Sequence, residues 1–208
     1  MNFEIIDNFL EKKHFEQLIS IKLNKISDYD IKVYHNEIVE NKIIKSNGID
    51  EALLKELNNK YHQIAIKMLN KLYPEKLNLY EYSDFTLIQT GSHYKFPIHD
   101  DTPNKILSGV IYLCPEKNNG TFVYNNKKGE GKKEIEWKQN RAFFFSRKEK
   151  ETWHSYQGNK KDSRLALVYN LMTTKIKKVS EIENTNFLST IIRYKINPYL
   201  YRFFKITI

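Results

Sequence analysis

The stretch YKFPIHDDTP, residues 94–103, places two aspartates directly after a histidine at the end of a predicted strand. Side chains at positions i and i+2 of a strand point to the same side, so His99 and Asp101 can approach one ion together. Asp100 lies between them and is expected to point away, toward solvent or a substrate. Taken alone, the pair is also compatible with a polar turn, so other residues must complete a metal site.

The sequence around this stretch alternates with a period of two, which is typical of short β-strands. Six such runs follow one another and are separated by turn signals rich in Gly, Asn and Pro. Helical patterns flank them in residues 10–75 and 178–208. We therefore predict an α+β fold in one domain, residues 1–208, whose mainly β core of about 79–172 is a sandwich or a barrel.

Two further residues extend the pattern. His154 follows the apolar run AFFF, residues 142–145. If this strand neighbours the first, His154 joins His99 and Asp101 on one face, and two histidines with one carboxylate suit Fe(II) with positions left open. Arg164 lies ten residues later in the apolar run SRLALVYN. A guanidinium there needs an anionic partner if it is buried, and none if it faces water at a strand edge.

The set His99-x-Asp101, His154 and Arg164 on β-rich segments resembles the Fe(II)/2-oxoglutarate-dependent dioxygenases, in particular their prolyl-4-hydroxylase-like branch. The resemblance covers about residues 79–172, and the opening FEIIDNFL is similar to the family's usual first strand. It implies a double-stranded β-helix, a jelly-roll or cupin-like architecture, flanked by N-terminal and C-terminal helices.

The resemblance also implies a role for individual residues. His99, Asp101 and His154 would hold the iron, and Arg164 would anchor the distal (C5) carboxylate of 2-oxoglutarate. Tyr112 stands where the family often has a tyrosine on the same carboxylate, although a packed core tyrosine is the alternative. The other residues expected in the cosubstrate pocket are Gln89 and Phe122. The residues expected in the substrate pocket are Phe96, Asp100, Asn170 and Trp153.

The implied activity is hydroxylation of an unactivated C–H bond, coupled to decarboxylation of 2-oxoglutarate to succinate and CO2. It requires Fe(II), 2-oxoglutarate and O2, with ascorbate as a further candidate cofactor. Asp101 favours hydroxylation or demethylation, because halogenating family members lack a carboxylate at this position. Gln89 and Asn170 replace a tyrosine and a tryptophan found in some members, which argues against a prolyl-peptide substrate. The substrate stays open between a small molecule, a glycan and a protein side chain, because loops rather than the core select it.

Two other functions remain as alternatives. The first is a cupin-like metal enzyme that does not use 2-oxoglutarate and has no need of Arg164. The second is a non-catalytic, basic β-sandwich binding module, which the net charge of +9 suggests. No nucleic-acid partner is expected, because the lysines are scattered and no nucleic-acid-binding motif accompanies them.

The remaining features bear on location and assembly. The N-terminus has no secretory signal pattern, no apolar run could span a membrane, and Cys114 is the single cysteine. We expect a cytoplasmic protein that is a monomer or a homodimer. The basic segment 125–133 is either a lid or a solvated hairpin, and the aromatic and basic tail is either an interfacial membrane segment or a packed helix.

Overall fold

The computed structural model describes residues 1–204, without the side chains of Arg202 and Phe204. Twelve strands lie in this part of the chain and form two sheets. In chain order they are β1 Glu4–Ile6, β2 Ile31–Tyr34, β3 Glu37–Val39, β4 Lys42–Lys45, β5 Tyr82–Thr90, β6 Lys95–His99, β7 Lys105–Cys114, β8 Thr121–Val123, β9 Lys133–Ile135, β10 Ala142–Phe145, β11 His154–Gln157 and β12 Arg164–Met172.

The larger sheet has the strand order β1-β10-β7-β12-β5-β3-β4, and β2 also pairs with β5. The smaller sheet has the order β6-β11-β8-β9. Every pairing between these strands is antiparallel. The architecture is that of a mainly antiparallel β-sandwich with a few helices, which confirms the α+β class predicted from the sequence.

Four α-helices accompany the sheets: α1 Lys12–Ile19, α2 Glu51–Leu72, α3 Ile176–Ile182 and α4 Phe187–Phe204. The side chain of Asp50 caps α2 by accepting a hydrogen bond of 2.9 Å from the Leu53 N–H. The helix ends at Leu72, two residues before Pro74 opens a short 3-10 helix. No helix among the described residues is long and apolar enough to cross a membrane.

The side chains of β12 alternate between the two sides of the large sheet. Leu165, Leu167, Tyr169 and Leu171 belong to the apolar core that includes Leu54, Leu57 and Tyr61 of α2. Ala166 and Val168 point to the other side, into a second core shared with Val123 and Ile135 of the small sheet. The side of β12 that bears Arg164 therefore faces the space between the sheets.

The structure changes one expectation about the flanking segments. Residues 10–75, expected to be helical, contain α1 and α2 but also the strands β2, β3 and β4. Short runs of isoleucine and valine extend the large sheet beyond β5 at this point, and such β-branched residues favour strands. The C-terminal segment is helical as expected through α4, and residues 205–208 lie outside the described part of the chain.

Candidate metal and cosubstrate site

Three side chains converge between the sheets where β6 and β11 meet. His99 ends β6, His154 begins β11, and the two are direct cross-strand partners with ring centroids 4.2 Å apart. Asp101 follows two residues beyond His99. One ligand atom from each of the three residues lies within 4.8 Å of the other two, a spacing that one metal ion can bridge. The structure thus brings together the three ligands proposed from the sequence.

Backbone carbonyls orient both imidazoles. Nδ1 of His99 lies 2.9 Å from the Pro97 carbonyl oxygen, and Nδ1 of His154 lies 2.9 Å from the Thr152 carbonyl oxygen. A carbonyl can only accept, so in a neutral imidazole held in this way Nδ1 carries the proton and Nε2 keeps a free lone pair. Ligating histidines are commonly held in this way by their second nitrogen.

Two residues that were not singled out in the sequence hold the Asp101 carboxylate. Nζ of Lys105 lies 2.8 Å from Oδ1, and the Ser108 hydroxyl donates to Oδ2 at 2.7 Å. Burial alone would raise the pKa of Asp101, but the Lys105 ammonium and the two imidazoles hold it well below its usual range. Burial and the neighbouring His154 lower the pKa of His99 to about 3. The triad therefore carries a charged carboxylate beside a neutral His99, which is the form that binds a metal.

Arg164 lines the same cavity as the triad. Its side chain is buried, with 7% of its surface exposed, and no carboxylate in residues 1–204 pairs with it. Nε of Arg164 has no hydrogen-bond partner. The guanidinium packs 4.0 Å from the ring centroid of Tyr156. A buried cation without an acidic partner is costly, so these residues fit an anionic ligand such as the distal carboxylate of 2-oxoglutarate.

Thr90 is the direct cross-strand partner of Arg164, and it also lines the cavity. Its hydroxyl is buried and has no hydrogen-bond partner. The sequence prediction missed this residue because a threonine within a β-strand is common. Beside Arg164 it offers a second donor to the same anion.

Tyr112 does not take the expected position on that anion. Its hydroxyl lies 3.0 Å from Oγ1 of Thr121 and 3.2 Å from the carbonyl oxygen of Ile135, and it accepts a hydrogen bond from the Thr121 N–H. Its ring stacks on Trp137 at 4.6 Å and lies under the Arg164 guanidinium. The structure thus favours the alternative, a packed core tyrosine.

Two other expected cosubstrate residues lie on the wrong side of their strands. Ile88 and Thr90 line the cavity, so the alternation turns Gln89 to the opposite side of the sheet. Thr121 likewise lines the cavity, whereas Phe122 turns away and packs against the Lys132 ammonium at 4.1 Å. In both strands the residue that lines the cavity is the neighbour of the expected one. The alternation in the sequence shows which residues share a side of the strand, but not which side faces the cavity.

Of the four residues expected in the substrate pocket, only Phe96 lines the cavity. Its ring lies 4.3 Å from that of His99 and stacks on Tyr201 of α4 at 4.5 Å. Asn170 is buried on the cavity side of β12, one step beyond Val168. This places Asn170 at the end of the cavity rather than in its lining.

The other two residues, Asp100 and Trp153, face away from the cavity. Asp100 is neither outward nor near the substrate space, because it is buried in an ion pair with Arg193 of α4 at 2.7 Å. Trp153 points away from its neighbour His154 and donates its indole N–H to the Lys150 carbonyl at 2.8 Å. It lines a separate surface groove beside α4.

Comparisons with known proteins support the resemblance at the level of the fold. No family model matches the sequence, and no curated protein matches it. The fold is similar to that of an oxidoreductase of the 2OG-Fe(II) oxygenase family from Burkholderia pseudomallei, with 12% identity, a TM-score of 0.55, and coverage of 82% of this chain and 84% of the other. It is also similar to a prolyl hydroxylase from Trichoplax adhaerens in complex with a hypoxia-inducible-factor peptide, with 15% identity, a TM-score of 0.55 and coverage of 86% of both chains.

A third similar structure is that of a full-length Neurospora crassa protein in complex with alpha-ketoglutarate and 5-formyluracil, with 9% identity, a TM-score of 0.55, and coverage of 83% of this chain and 74% of the other. A peptide and a nucleobase thus occur as ligands on one fold, so the fold does not identify a substrate. The chain shares the fold of the 2OG-Fe(II) oxygenases, in their prolyl-hydroxylase-like form.

Proposed function

We propose that this protein is an Fe(II)- and 2-oxoglutarate-dependent oxygenase that hydroxylates an unactivated C–H bond. One observation carries the proposal: a buried Arg164 without an acidic partner lines the same cavity as the His99, Asp101 and His154 triad. A metal enzyme that does not use 2-oxoglutarate has no need of a buried, unpaired guanidinium there. The architecture that we propose for the two sheets is the double-stranded β-helix, which the similar structures support.

In this proposal His99, Asp101 and His154 hold Fe(II), which together with 2-oxoglutarate and O2 supplies the oxidising chemistry and yields succinate and CO2. Arg164 binds the distal carboxylate, and the Tyr156 ring fixes the plane of the guanidinium. Thr90 donates its free hydroxyl to the same carboxylate and takes the role that was expected of Tyr112.

The rest of the cavity wall excludes water from the metal. Phe96, Val110, Phe145 and Val168 supply apolar surface around the triad. Lys105 and Ser108 keep both oxygens of Asp101 in hydrogen bonds, which orients the carboxylate before a metal arrives. Such a site holds its ligands in place and shields them, while the cofactor performs the oxidation.

The experiment is to measure succinate formation from 2-oxoglutarate by the purified protein with Fe(II) under air. We expect turnover that requires Fe(II), is lost in His99→Ala and is strongly reduced in Arg164→Ala. Metal-dependent activity that is unchanged in Arg164→Ala would instead identify a cupin-like enzyme. Failure of the anaerobic protein to bind any metal would leave the basic binding module as the better explanation.

A further inference from the structure

Polar residues cross the large sheet in a straight line at one end of the cavity. Glu37, Asp84, Asn170 and Ser108 are successive direct cross-strand partners on β3, β5, β12 and β7. Direct partners in an antiparallel sheet point to the same side, which is here the side of the cavity that Ser108 lines. Since Ser108 donates to Asp101, the line begins beside the metal triad. We call Glu37, Asp84 and Asn170 the acceptor row.

Arg164 lines the cavity at one end, and the acceptor row lies just beyond Ser108, which lines the other end. Arg164 and Asn170 are six positions apart on β12, which corresponds to about 20 Å along a strand. A cosubstrate held between Arg164 and the triad occupies one end of this face. The other end, at the acceptor row, is left for the molecule that is oxidised.

The acceptor row offers hydrogen-bond acceptors and negative charge. Asp84 is buried and receives the Thr86 hydroxyl at 2.7 and 2.8 Å and the Asn170 amide at 3.4 Å. Asn170 is only 1% exposed, yet its Oδ1 has no hydrogen-bond partner. A buried acceptor without a donor costs free energy. We therefore expect Oδ1 of Asn170 to accept a hydrogen bond from an N–H or O–H group of a ligand.

The row has a cation across the sheet at one end only: Lys45 of β4 is the direct partner of Glu37, whereas Asp84 lies between Glu37 and Asn170. Glu37 and Asp84 are direct partners, and like charges in such positions destabilise a sheet. No lysine or arginine within residues 1–204 forms an ion pair with either carboxylate. The basic group that contacts Asp84 is the half-exposed imidazole of His35, with Nδ1 3.5 Å from Oδ2. Among the described residues, the triad is the group of three or more ligating side chains that has the spacing of a metal site, and the row does not belong to it.

We propose that the acceptor row is the substrate subsite and binds a cationic nitrogen group of the substrate, an ammonium or a guanidinium. This inference rests on the proposed oxygenase function and narrows its substrate class. An ammonium carries three N–H donors and a guanidinium five, which matches the two carboxylates and the free amide oxygen of the row. The bound cation neutralises Glu37 and Asp84 and satisfies Asn170, while the rest of the substrate extends past Ser108 toward the metal.

The test uses the full chain loaded with Mn(II) and 2-oxoglutarate without O2, and measures binding by calorimetry. The probes are L-arginine against L-citrulline and L-lysine against L-norleucine, which differ in the charged group. The same pairs in N-acetylated, C-amidated tripeptides distinguish a peptide source from a free small molecule. Succinate formation with Fe(II) and O2 is then measured with each probe. The variants are Asp84→Asn and Glu37→Lys, and the control is Glu16→Gln, an exposed carboxylate of α1.

We expect each cationic probe that binds to do so at least ~10-fold more tightly than its neutral counterpart, as loss of a partly buried charge pair predicts. Asp84→Asn and Glu37→Lys should remove this preference, and Glu16→Gln should keep it. Glu37→Lys lies on a partly exposed strand and places a cation opposite Asp84, so it tests the subsite even if Asp84→Asn does not fold.

Two binding results would overturn the inference: no probe binds in preference to its neutral counterpart, or the preference survives in both variants. A third overturning result comes from turnover. The binding and turnover measurements separate this inference from the proposed function. Charge-selective binding without any 2-oxoglutarate turnover would remove the oxygenase and leave the cation subsite. Turnover that is equal with charged and neutral probes would leave the oxygenase and remove the subsite.

Discussion

Nη2 of Arg193 lies 2.7 Å from Oδ1 of Asp100, so helix α4 is tied by a buried ion pair to the residue that precedes the proposed metal ligand Asp101. The Lys150 N–H donates to the second oxygen of Asp100 at 2.9 Å. Arg147 acts on the next residue, because its Nε donates to the Asp101 carbonyl at 3.1 Å. The backbone at Asp100 and Asp101 is thus held from two parts of the chain: residues 147–150 after β10, and Arg193 in α4.

The first prediction concerns this ion pair. Asp100→Ala leaves the Arg193 guanidinium buried without its closest carboxylate, which typically costs about 3–5 kcal/mol. We expect the free energy of unfolding from urea titrations to fall by this order, reduced by the Glu149 carboxylate that lies 3.3 Å from Nη1 of Arg193. In the double variant with Arg193→Ala the loss should be smaller than the sum of the single losses. Additive losses would show that the pair does not couple α4 to residues 100–104, which connect β6 to β7.

The second prediction compares metal binding after substitution of Asp101, Asp100 and Ser108. Asp101→Ala removes a proposed ligand and should abolish iron-dependent turnover, whereas Ser108→Ala removes only its hydrogen-bond donor and should weaken metal affinity by about 10–100-fold. Metal affinity is measured by titration with Fe(II) or Mn(II) without O2. The control is Ser146→Ala, a buried serine that donates to the Ile106 carbonyl away from the triad. Asp100→Ala should bind metal once folded, and the opposite order of the two aspartates would contradict the site.

The third prediction concerns the cosubstrate. Arg164→Ala should weaken 2-oxoglutarate binding by about 2–5 kcal/mol, because a buried charge pair loses one partner. Thr90→Val should have a smaller effect of about 1 kcal/mol, the usual worth of one hydrogen bond. Its neighbour Gln89 points to the other side of the sheet, so Gln89→Ala should leave the affinity unchanged. Calorimetric titration of the Mn(II)-loaded protein measures all three, and a larger effect at Gln89 than at Thr90 would invert the assigned sides of β5.

The fourth prediction follows from His99 in the metal-free protein. Burial lowers its pKa from the ordinary 6.5 to about 3, so between these values the unfolded chain binds the proton and the folded chain does not. This contribution to stability is complete above pH 6.5 and is lost as the pH falls toward 3. Urea titrations across that range should show the free energy of unfolding falling by roughly a few kcal/mol. In His99→Gln the fall should be smaller, and equal slopes would show that His99 is not the group responsible.

The proximity of the three proposed metal ligands could be predicted in part because two of them are close in the sequence. His99 and Asp101 are two positions apart on a strand end, and the period of a strand places them on one side. Arg164 could also be recognised from its local sequence, because it is the single charged residue in an apolar run.

The misplaced residues share a different physical cause. Gln89, Phe122 and Trp153 each lie one position from a residue that lines the cavity, since the side of a strand that faces inward depends on what packs against it. Packing of that kind joins segments that are far apart in the sequence, so it cannot be inferred from the residues of one strand alone. The partner of Asp100 was hidden for the same reason, because Arg193 lies 93 positions away.

That separation also sets an order of events while the protein is made. A ribosome adds about 5–20 residues per second, so Arg193 emerges roughly 5–20 s after Asp100. By the end of this interval every strand of the two sheets has left the ribosome, yet Asp100 still lacks the guanidinium of Arg193. Strands β6 and β11, which carry the two histidines, can pair first. Residues 100–104, which connect β6 to β7, can reach their final form only when α4 is available to pair with Asp100.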